Sequence, residues 1–364
     1  MRSLWTVGIL VVATAVLVGC KSEREEKRPG PFRAMETMPA PDKTPPSPKA
    51  PKVDPALRPG PQHARREQAA KKLESCLLAA GAIADGCLAA EVTAEHIDAV
   101  PAAQFSGAAA VEAWRRNTWG LGLGDARTSV WLTLLKGYEA VFLVHVQGKH
   151  TQDLAGIAPT GAEVAVSGAL HVRYNRQVEI TEIELLLDQT SVLGQIGGTS
   201  FTHRPAMPAP SGEPRRALAS GLGSEAKGMQ VLKMFPGDLN EHSGRLMLEY
   251  YTQEPSLDVL WRPEAVQGRA AIRAAYEREF VGSRDSNYRM KWAWPAQDHV
   301  LLWLQRQGSN TGPELGAKEA SKGAYTTQEL HVFRLERGKI SKHWMFGNSL
   351  SMTTQAGIAS PARP

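Results

Sequence analysis

The chain has 364 residues, 42% of them hydrophobic and 22% charged. This length is sufficient for two domains of ordinary size, and this composition excludes wholesale disorder. The formal net charge of +5 suggests nucleic-acid or membrane-surface binding until it is located along the chain. Residues 21–66 carry eleven Lys and Arg against six Asp and Glu, whereas residues 67–364 carry 30 cations against 31 anions. The folded part is therefore not basic, and we expect no nucleic-acid partner.

The first twenty residues are typical of an export signal. Arg2 supplies a positive charge, and an apolar run follows from Leu4 to Val18. This run is shorter than the ~20 residues that a membrane-spanning helix needs. The closing Leu17-Val18-Gly19-Cys20 resembles a bacterial lipobox, which implies cleavage before Cys20 and lipidation of its thiol. The alternative is an ordinary signal peptide or short anchor that happens to end in cysteine.

Residue 21 bears on the destination of such a lipoprotein. In lipoproteins of this kind, Asp after the modified cysteine favours retention in the inner membrane, and this chain has Lys21 there. We therefore expect a lipid-anchored protein of the bacterial envelope, with the outer membrane favoured and the protein facing the periplasm or the cell surface.

Residues 21–66 are predicted to form an extended stalk. They contain eleven of the 24 prolines and almost no aliphatic side chains, so they cannot bury enough apolar surface to fold. Proline biases such a segment towards polyproline-type geometry. The stalk is either a solvated tether or one whose cations contact anionic lipid or peptidoglycan.

Two cysteines remain beyond the predicted lipidation site. Cys76 and Cys87 flank Gly81 in an Ala-rich stretch that predicts helix, turn and helix. Because an exported protein folds in an oxidising compartment, we expect these two residues to form a disulfide. Two buried thiols are the alternative, and a catalytic thiol is disfavoured because the surrounding alanines supply no base.

The rest of the chain contains an internal repeat. Residues 150–197 align without gaps to residues 310–357 at an offset of 160, with nine identities that include His171 with His331. We expect domain 1 at 67–198, a Pro-rich linker at 199–222 and domain 2 at 223–358.

Each copy begins with helices and ends with strands. In copy one the pattern predicts helices near 66–80, 85–93 and 107–116, and strands at 96–105, 128–135, 139–149, 163–174 and 178–188. In copy two it predicts helices near 224–234, 240–252 and 268–280, and strands at 257–263, 287–294, 298–307, 324–336 and 339–347. This order indicates an α+β fold in which a bent antiparallel sheet covers about three helices.

The motifs resemble those of a known family. Gly107 to Val111 with Trp114, Gly148 to Thr151, Gly156 to Gly161, and Asp188 with Leu193 to Gly197 follow the order seen in SnoaL-like polyketide (ester) cyclases of the nuclear-transport-factor-2-like superfamily. The resemblance covers about 95–198, and copy two shows it more loosely. It implies two tandem cone-shaped α+β barrels, each with a pocket, and a cofactor-free ring closure that uses an aspartate as acid and base.

The resemblance places candidate catalytic residues in copy one. Asp188 matches the family's aspartate and has apolar neighbours that would raise its pKa towards working pH. His150 would polarise a substrate carbonyl, with Glu184 or His171 assisting. The alternatives are a helix-capping or turn role for Asp188, a loop role for His150 and a structural role for His171.

Copy two has lost the corresponding base. Asn348 and Asn310 stand where copy one has Asp188 and His150, and an amide cannot accept the proton. Aromatic residues such as Trp344 and Trp292 accompany them and suggest a pocket for an apolar or flat ligand, or a heavier core. We therefore regard domain 2 as degenerate, with a predicted ligand pocket formed by Trp344, Asn348, Trp292 and Asn310.

Three functions are compatible with these patterns. No metal-binding or phosphate-binding motif is present, so we expect neither metal nor cofactor. The favoured function is binding of a small apolar molecule in the barrel pockets. The alternatives are a cyclase-like or isomerase-like enzyme that uses Asp188 in domain 1, and a structural or interaction module of the envelope. We expect the two barrels to pack on each other, or the protein to dimerise.

Overall fold

The computed structural model describes residues 61–78, 83–97, 99, 102–199, 203–221, 223–313 and 319–358. The predicted signal peptide with Cys20, and residues 21–60 of the predicted stalk, lie outside the described residues. The described residues belong to one compact unit. None of the helices in these ranges is both long and apolar enough to cross a bilayer.

Lobe 1 combines three helices with a seven-stranded sheet. Its helices are α1 (Pro61–Leu78), α2 (Ala108–Arg116) and α3 (Gln189–Gln195). Its strands are β1 (Leu88–His96), β2 (Ala103–Ser106), β3 (Leu123–Lys136), β4 (Glu139–His150), β5 (Glu163–Tyr174), β6 (Ile180–Leu187) and β7 (Arg215–Leu218). They lie in the order β2-β1-β6-β5-β4-β3-β7.

Lobe 2 repeats this arrangement with five helices and six strands. Its helices are α4 (Gly223–Lys233), α5 (Phe235–Asn240), α6 (Gly244–Met247), α7 (Arg269–Gly282) and α8 (Ser349–Gln355). Its strands are β8 (Tyr251–Val259), β9 (Val266–Gln267), β10 (Asn287–Ala296), β11 (His299–Ser309), β12 (Ala324–Glu336) and β13 (Lys339–Gly347). Their order, β9-β8-β13-β12-β11-β10, is that of lobe 1 without β7.

The α+β class is confirmed, but the sheets are neither purely antiparallel nor closed. The pairs β1–β6, β13–β8 and β3–β7 are parallel. The first two pairs join strands that are far apart in sequence, and a long crossover can return a strand in the parallel direction. Both sheets keep free edges, so each lobe is an open, curved sheet and not a barrel.

The N-terminal elements of each lobe differ from the sequence prediction. Residues 85–93 do not form a helix, because the alternating burial of Val92 and Ala94 belongs to strand β1. The helix predicted at 240–252 is replaced by α6, a 3₁₀ turn and the start of β8. Helix α1 begins at Pro61, so the last six residues of the predicted stalk are helical. The disulfide Cys76–Cys87 joins α1 to the residue before β1.

The two faces of each sheet have different partners. Phe142, Val144 and Val146 of β4 point into the interior of lobe 1, whereas Val141 and Leu143 belong to a separate apolar core shared with lobe 2. In lobe 2 the strand side chains are likewise divided between the interior of the lobe and the core shared with lobe 1. The lobes therefore pack sheet to sheet, and the short helices α3 and α8 also meet at this contact, where the Thr190 hydroxyl lies 2.7 Å from that of Ser349.

The predicted linker crosses the contact between the lobes. Arg204 donates hydrogen bonds to the backbone carbonyls of Arg262 and Val259, and forms an ion pair with Asp258 in lobe 2. Eleven residues later the chain enters β7, which pairs with β3 of lobe 1. The segment 203–218 is therefore attached to both lobes.

Candidate functional site

The structure places Asp188 at a helix N-terminus. Asp188 is the N-cap of α3, where its Oδ1 accepts a hydrogen bond from the Ser191 backbone N–H at 3.1 Å and its Oδ2 accepts one from the Ser191 hydroxyl. The Ser349 hydroxyl of lobe 2 donates a third at 3.4 Å. The carboxylate is buried at the contact between the lobes, and the capping alternative describes this geometry.

The other two predicted catalytic residues lie on opposite faces of the sheet. His150 shares the interior face of β4, and its Nδ1 lies 3.2 Å from the Thr160 backbone N–H that donates to it. Glu184 faces lobe 2, where its Oε2 lies 2.7 Å from His171 Nδ1. Burial raises the pKa of Glu184, but the hydrogen bond and charge of His171, with the charges of Lys291 and Arg173, together outweigh burial and leave that pKa below its usual value. Asp188, His150 and Glu184 therefore do not form one site.

The pocket predicted in domain 2 is not assembled either. Trp292 and Trp344 belong to the core between the lobes. Asn348 caps α8 and donates to the Ile97 carbonyl of lobe 1 at 2.6 Å. Asn310 holds a loop by donating to the Gly312 carbonyl at 2.8 Å. The alternation of strand side chains separates these residues, because neighbours in sequence point to opposite faces.

The two histidines aligned by the repeat are not equivalent. His171 pairs across the sheet with Val141 and faces lobe 2, whereas His331 pairs with Leu302 and faces the interior of lobe 2. The strands β5 and β12 therefore correspond at an offset of 161 and not 160. A slip of one residue turns every side chain to the other face.

The interior of lobe 2 contains a buried charged cluster. Arg306 is 1% exposed, and its Nη1 donates to Glu279 Oε1 at 2.9 Å and to Glu329 Oε1 at 3.4 Å. Its guanidinium carbon lies 5.3 Å and 5.4 Å from the ring centroids of Tyr288 and Tyr325. One cation thus joins two carboxylates between two aromatic rings, where cation–π attraction adds to the ion pairs.

A chain of hydrogen bonds extends from Glu329 through the same interior. Glu329 Oε2 lies 3.4 Å from His331 Nε2, and His331 Nδ1 lies 2.9 Å from His343 Nε2. His343 Nδ1 is 2.7 Å from the Tyr251 hydroxyl, which is 2.9 Å from that of Tyr276. If Glu329 is ionised and the two imidazoles and two phenols are neutral, each of these hydrogen bonds can be donated in the direction of the Glu329 carboxylate. We call Arg306, Glu279, Glu329, His331, His343, Tyr251 and Tyr276 the polar chain.

Burial and the neighbouring charges define the protonation states of the polar chain. Burial raises the pKa of Glu329, but the His331 hydrogen bond and the Arg306 charge outweigh it and leave that pKa below its usual value. Burial lowers the pKa of His343 well below its usual value, and His331 lowers it further. Burial also raises the pKa of Tyr251 and of Tyr276. These pKa directions keep Glu329 ionised and keep the His343 imidazole and the two phenols neutral.

Lobe 1 has no such chain at the matching positions. The strand registers give the correspondence directly. Arg306, Glu329, His331 and His343 correspond to Val146, Gly168, Leu170 and Ile183. Three of these four lobe 1 residues are buried and apolar. The same architecture is thus filled with aliphatic side chains in one lobe and with titratable groups in the other.

The sequence contained a signal for the polar chain. Along 301–306 (LLWLQR) and 329–333 (ELHVF), polar residues occupy the same alternate positions as Leu302, Leu304 and Phe333, which face the interior. A charged residue in register with core positions is uncommon unless it is paired. Among the described residues, no three His, Cys, Asp or Glu side chains converge as a metal ion would require.

The comparisons with known proteins point to the same lobe. Residues 238–356 match the family profile described as SnoaL-like polyketide cyclase. The C-terminal part of the chain therefore contains a SnoaL-like polyketide cyclase domain of nuclear-transport-factor-2-like fold. The match lies in copy two, whereas the motifs had suggested the closer resemblance in copy one. No curated protein matches the chain.

Several solved structures resemble part of the chain. A protein from Jannaschia sp. CCS1, named for the SnoaL-like polyketide cyclases, is 18% identical, with a TM-score of 0.36 over 41% of this chain and 100% of its own. TsrD from Streptomyces laurentii is 22% identical, with a TM-score of 0.34 over 37% and 97%. A phenazine biosynthesis-related protein from Pseudomonas aeruginosa is 16% identical, with a TM-score of 0.34 over 43% and 93%. Each likeness spans less than half of this chain.

Proposed function

We propose that this protein is an exported, lipid-anchored envelope protein with two SnoaL-like domains, and that it binds a small molecule in the interior of lobe 2. In this proposal lobe 1 is a structural partner. Export rests on the signal sequence and on the lipobox-like motif at Cys20. The disulfide Cys76–Cys87 supports an oxidising compartment. Lys21 and the Pro-rich stalk favour an outer-membrane anchor with the lobes held away from the lipid.

Shared local geometry supports the proposal of two domain copies. The strand order is common to both lobes. Gly107 and Gly268 precede α2 and α7 with φ of 83° and 82°, a conformation that glycine adopts freely. Gln195 and Gln355 each bracket the backbone of one residue in the neighbouring strand with two hydrogen bonds. These features recur at places that a duplication would make equivalent.

The polar chain is the observation that carries the binding proposal. Burying ions is expensive, and replacing a buried ion cluster by well-packed apolar residues is often neutral or stabilising. Lobe 1 shows that this fold accepts aliphatic residues at the same positions. The polar chain is therefore better explained by recognition of a ligand's polar group than by stability, since perturbed titratable groups concentrate at functional sites.

The same groups favour cofactor-free acid–base chemistry as a second candidate. Glu329 is held ionised, and His331, His343 and Tyr251 connect it by hydrogen bonds. If one proton moved along each of these hydrogen bonds, Glu329 would become protonated and the Tyr251 hydroxyl would become a phenolate. Such a chain would deliver or remove a proton from a ligand in contact with its end. This candidate replaces the one based on Asp188, whose oxygens cap α3.

The binding proposal is tested by releasing bound molecules from the purified, full-length protein. Wild type, Glu329→Gln and Glu182→Gln are isolated in parallel, denatured, and their small-molecule fractions compared by mass spectrometry. Glu329→Gln keeps the shape of a member of the polar chain, whereas Glu182 lies on β6 of lobe 1 and pairs with Arg173. We expect one compound to be released by wild type and Glu182→Gln but not by Glu329→Gln. Equal release from all three would contradict the proposal.

A further inference from the structure

A cavity lies between the lobes. It is on the face of the lobe 2 sheet opposite to the polar chain. Its volume is about 420 Å³, within the range of small-molecule sites. Strands of both lobes form its walls, and residues 207–213 of the linker segment line it as well. The aromatic and charged residues that line it are Trp131, His145, Trp344, His299, Arg204, Arg215, Lys342, Glu213 and Asp258.

Apolar and aromatic surfaces form one part of this inter-lobe cavity. The rings of Trp131 and Trp344, one from each lobe, are 5.4 Å apart. The His299 ring stacks on Trp344 at 6.4 Å with an interplanar angle of 17°. Met207 and Pro208 of the linker also line the cavity. These flat faces are suited to a planar ligand.

Several buried polar atoms at this cavity have no hydrogen-bond partner within the part of the chain that the structure describes. They include Trp131 Nε1, His145 Nε2 and His299 Nε2. His299 is 1% exposed, and its Nδ1 lies 2.8 Å from Asp298 Oδ1. The Asp298 carboxylate therefore orients the ring and leaves Nε2 for another group. Unsatisfied buried polar atoms are uncommon and carry a free-energy cost, and a ligand at this place would satisfy them.

The charges around the cavity favour an anion. The Arg204 cation is already paired with Asp258. Lys342 is exposed and has no ion pair with a described carboxylate. The indole N–H of Trp131 can only donate a hydrogen bond, as can an ammonium group. The buried Trp131 N–H therefore needs an acceptor, and beside the Lys342 ammonium a carboxylate or similar anion is the strongest one.

We propose that the inter-lobe cavity binds a flat aromatic molecule that carries one anionic group. The aromatic part lies against Trp131 and Trp344, and the anionic group accepts hydrogen bonds from Trp131 Nε1 and Lys342. His299 Nε2 contacts a polar substituent of the ring. This site is separate from the interior of lobe 2, because the residues of the polar chain point to the opposite face of the sheet.

A matched pair of probes tests this proposal. 2-Naphthoate is planar and anionic, and 2-naphthamide has the same shape without the charge. Binding of each to the full-length protein in lipid nanodiscs is measured by equilibrium dialysis, with empty nanodiscs as the reference. We expect saturable binding of 2-naphthoate, about tenfold tighter than that of 2-naphthamide, the ratio expected from one charge-assisted hydrogen bond. Equal affinity for the two probes, or binding without saturation, would overturn the proposal.

Three variants locate the probe. Trp131→Phe keeps an aromatic ring but removes the N–H, and Lys342→Ala removes the exposed ammonium without altering the core. We expect each to weaken 2-naphthoate binding several-fold, with little effect on 2-naphthamide, whereas the exposed Lys227→Ala on α4 leaves both unchanged. Glu329→Gln also leaves both unchanged. If Glu329→Gln abolished naphthoate binding while Lys342→Ala did not, the probe would lie in lobe 2 and the inter-lobe proposal would be wrong.

Discussion

Replacement of Arg306 by valine is the most informative perturbation of the polar chain, since Val146 occupies the matching position in lobe 1. Arg306 is the cation between Glu279 and Glu329, at 2.9 Å and 3.4 Å, and all three side chains are at least nine-tenths buried. Its removal leaves the buried carboxylates of Glu279 and Glu329 without their nearest cation, although Arg262 remains 3.5 Å from Glu279. Breaking a buried ion pair by deleting one partner destabilises a protein by about 3–5 kcal/mol.

Urea unfolding followed by circular dichroism measures this loss, and pH separates charge from packing. At pH 8 both carboxylates must remain ionised in the variant or take up protons at a cost. Loss of the arginine raises their pKa values, so at pH 5 they protonate more readily and the destabilisation shrinks. Arg173→Val removes a half-exposed arginine on β5 of lobe 1 and serves as control, with an expected change of about 1 kcal/mol or less.

Either of two results would contradict the proposal that Arg306 compensates the two buried carboxylates. A loss below ~1 kcal/mol would show that Arg306 does not compensate the two carboxylates, since an uncompensated buried charge is far costlier. An equal loss at pH 5 and pH 8 would assign the effect to packing alone. In both cases the polar chain would be an ordinary part of the core.

Three further predictions concern other parts of the chain. Cys20→Ala should leave the protein unlipidated, so that it loses both membrane attachment and the lipid mass seen by mass spectrometry; unchanged attachment and mass would refute the lipobox. Asp188→Ala should lower the free energy of unfolding by ~1 kcal/mol through loss of the N-cap, whereas Asp188→Asn should be nearly neutral because Asn also caps well; a large loss in Asp188→Asn would argue against a capping role. The His299 hydrogen bond lowers the pKa of Asp298 to about 2, so wild-type stability should fall as pH drops from about 4 to 2, and Asp298→Asn should flatten that decline in an acid-unfolding series.

The strands that form the centre of each sheet were predictable from the sequence. β5, β12 and β13 have the predicted bounds, and β4, β6 and β11 agree within two residues, because uninterrupted alternation of apolar residues specifies a strand. The helix predicted at 85–93 was wrong because alanine and glutamate favour helices locally, while pairing of β1 with β6 overrides that preference. Parallel pairing at the edges depends on tertiary crossovers that local patterns do not encode.

The structure does not bring together the candidate catalytic residues predicted in copy one, Asp188, His150 and Glu184. The sequence comparison treated Asp188 as a catalytic base and Asn348 as the residue that had replaced it. In the structure both side chains cap a helix, a role that Asp and Asn can both fill. The ungapped alignment also equated His171 with His331, although a one-residue shift puts them on opposite faces. The identities between the two aligned segments therefore did not indicate which residues face the interior of lobe 2. The strand registers of the structure show that its polar residues share that face.

The polar chain of lobe 2 is proposed to recognise a small molecule, and a crystal structure of the protein with its co-purified compound is the decisive measurement. We expect the compound in the interior of lobe 2, with a polar atom within hydrogen-bond distance of Arg306, Glu329 or a tyrosine hydroxyl of that interior. A compound bound only elsewhere, with the polar chain packed as it is here, would contradict the claim.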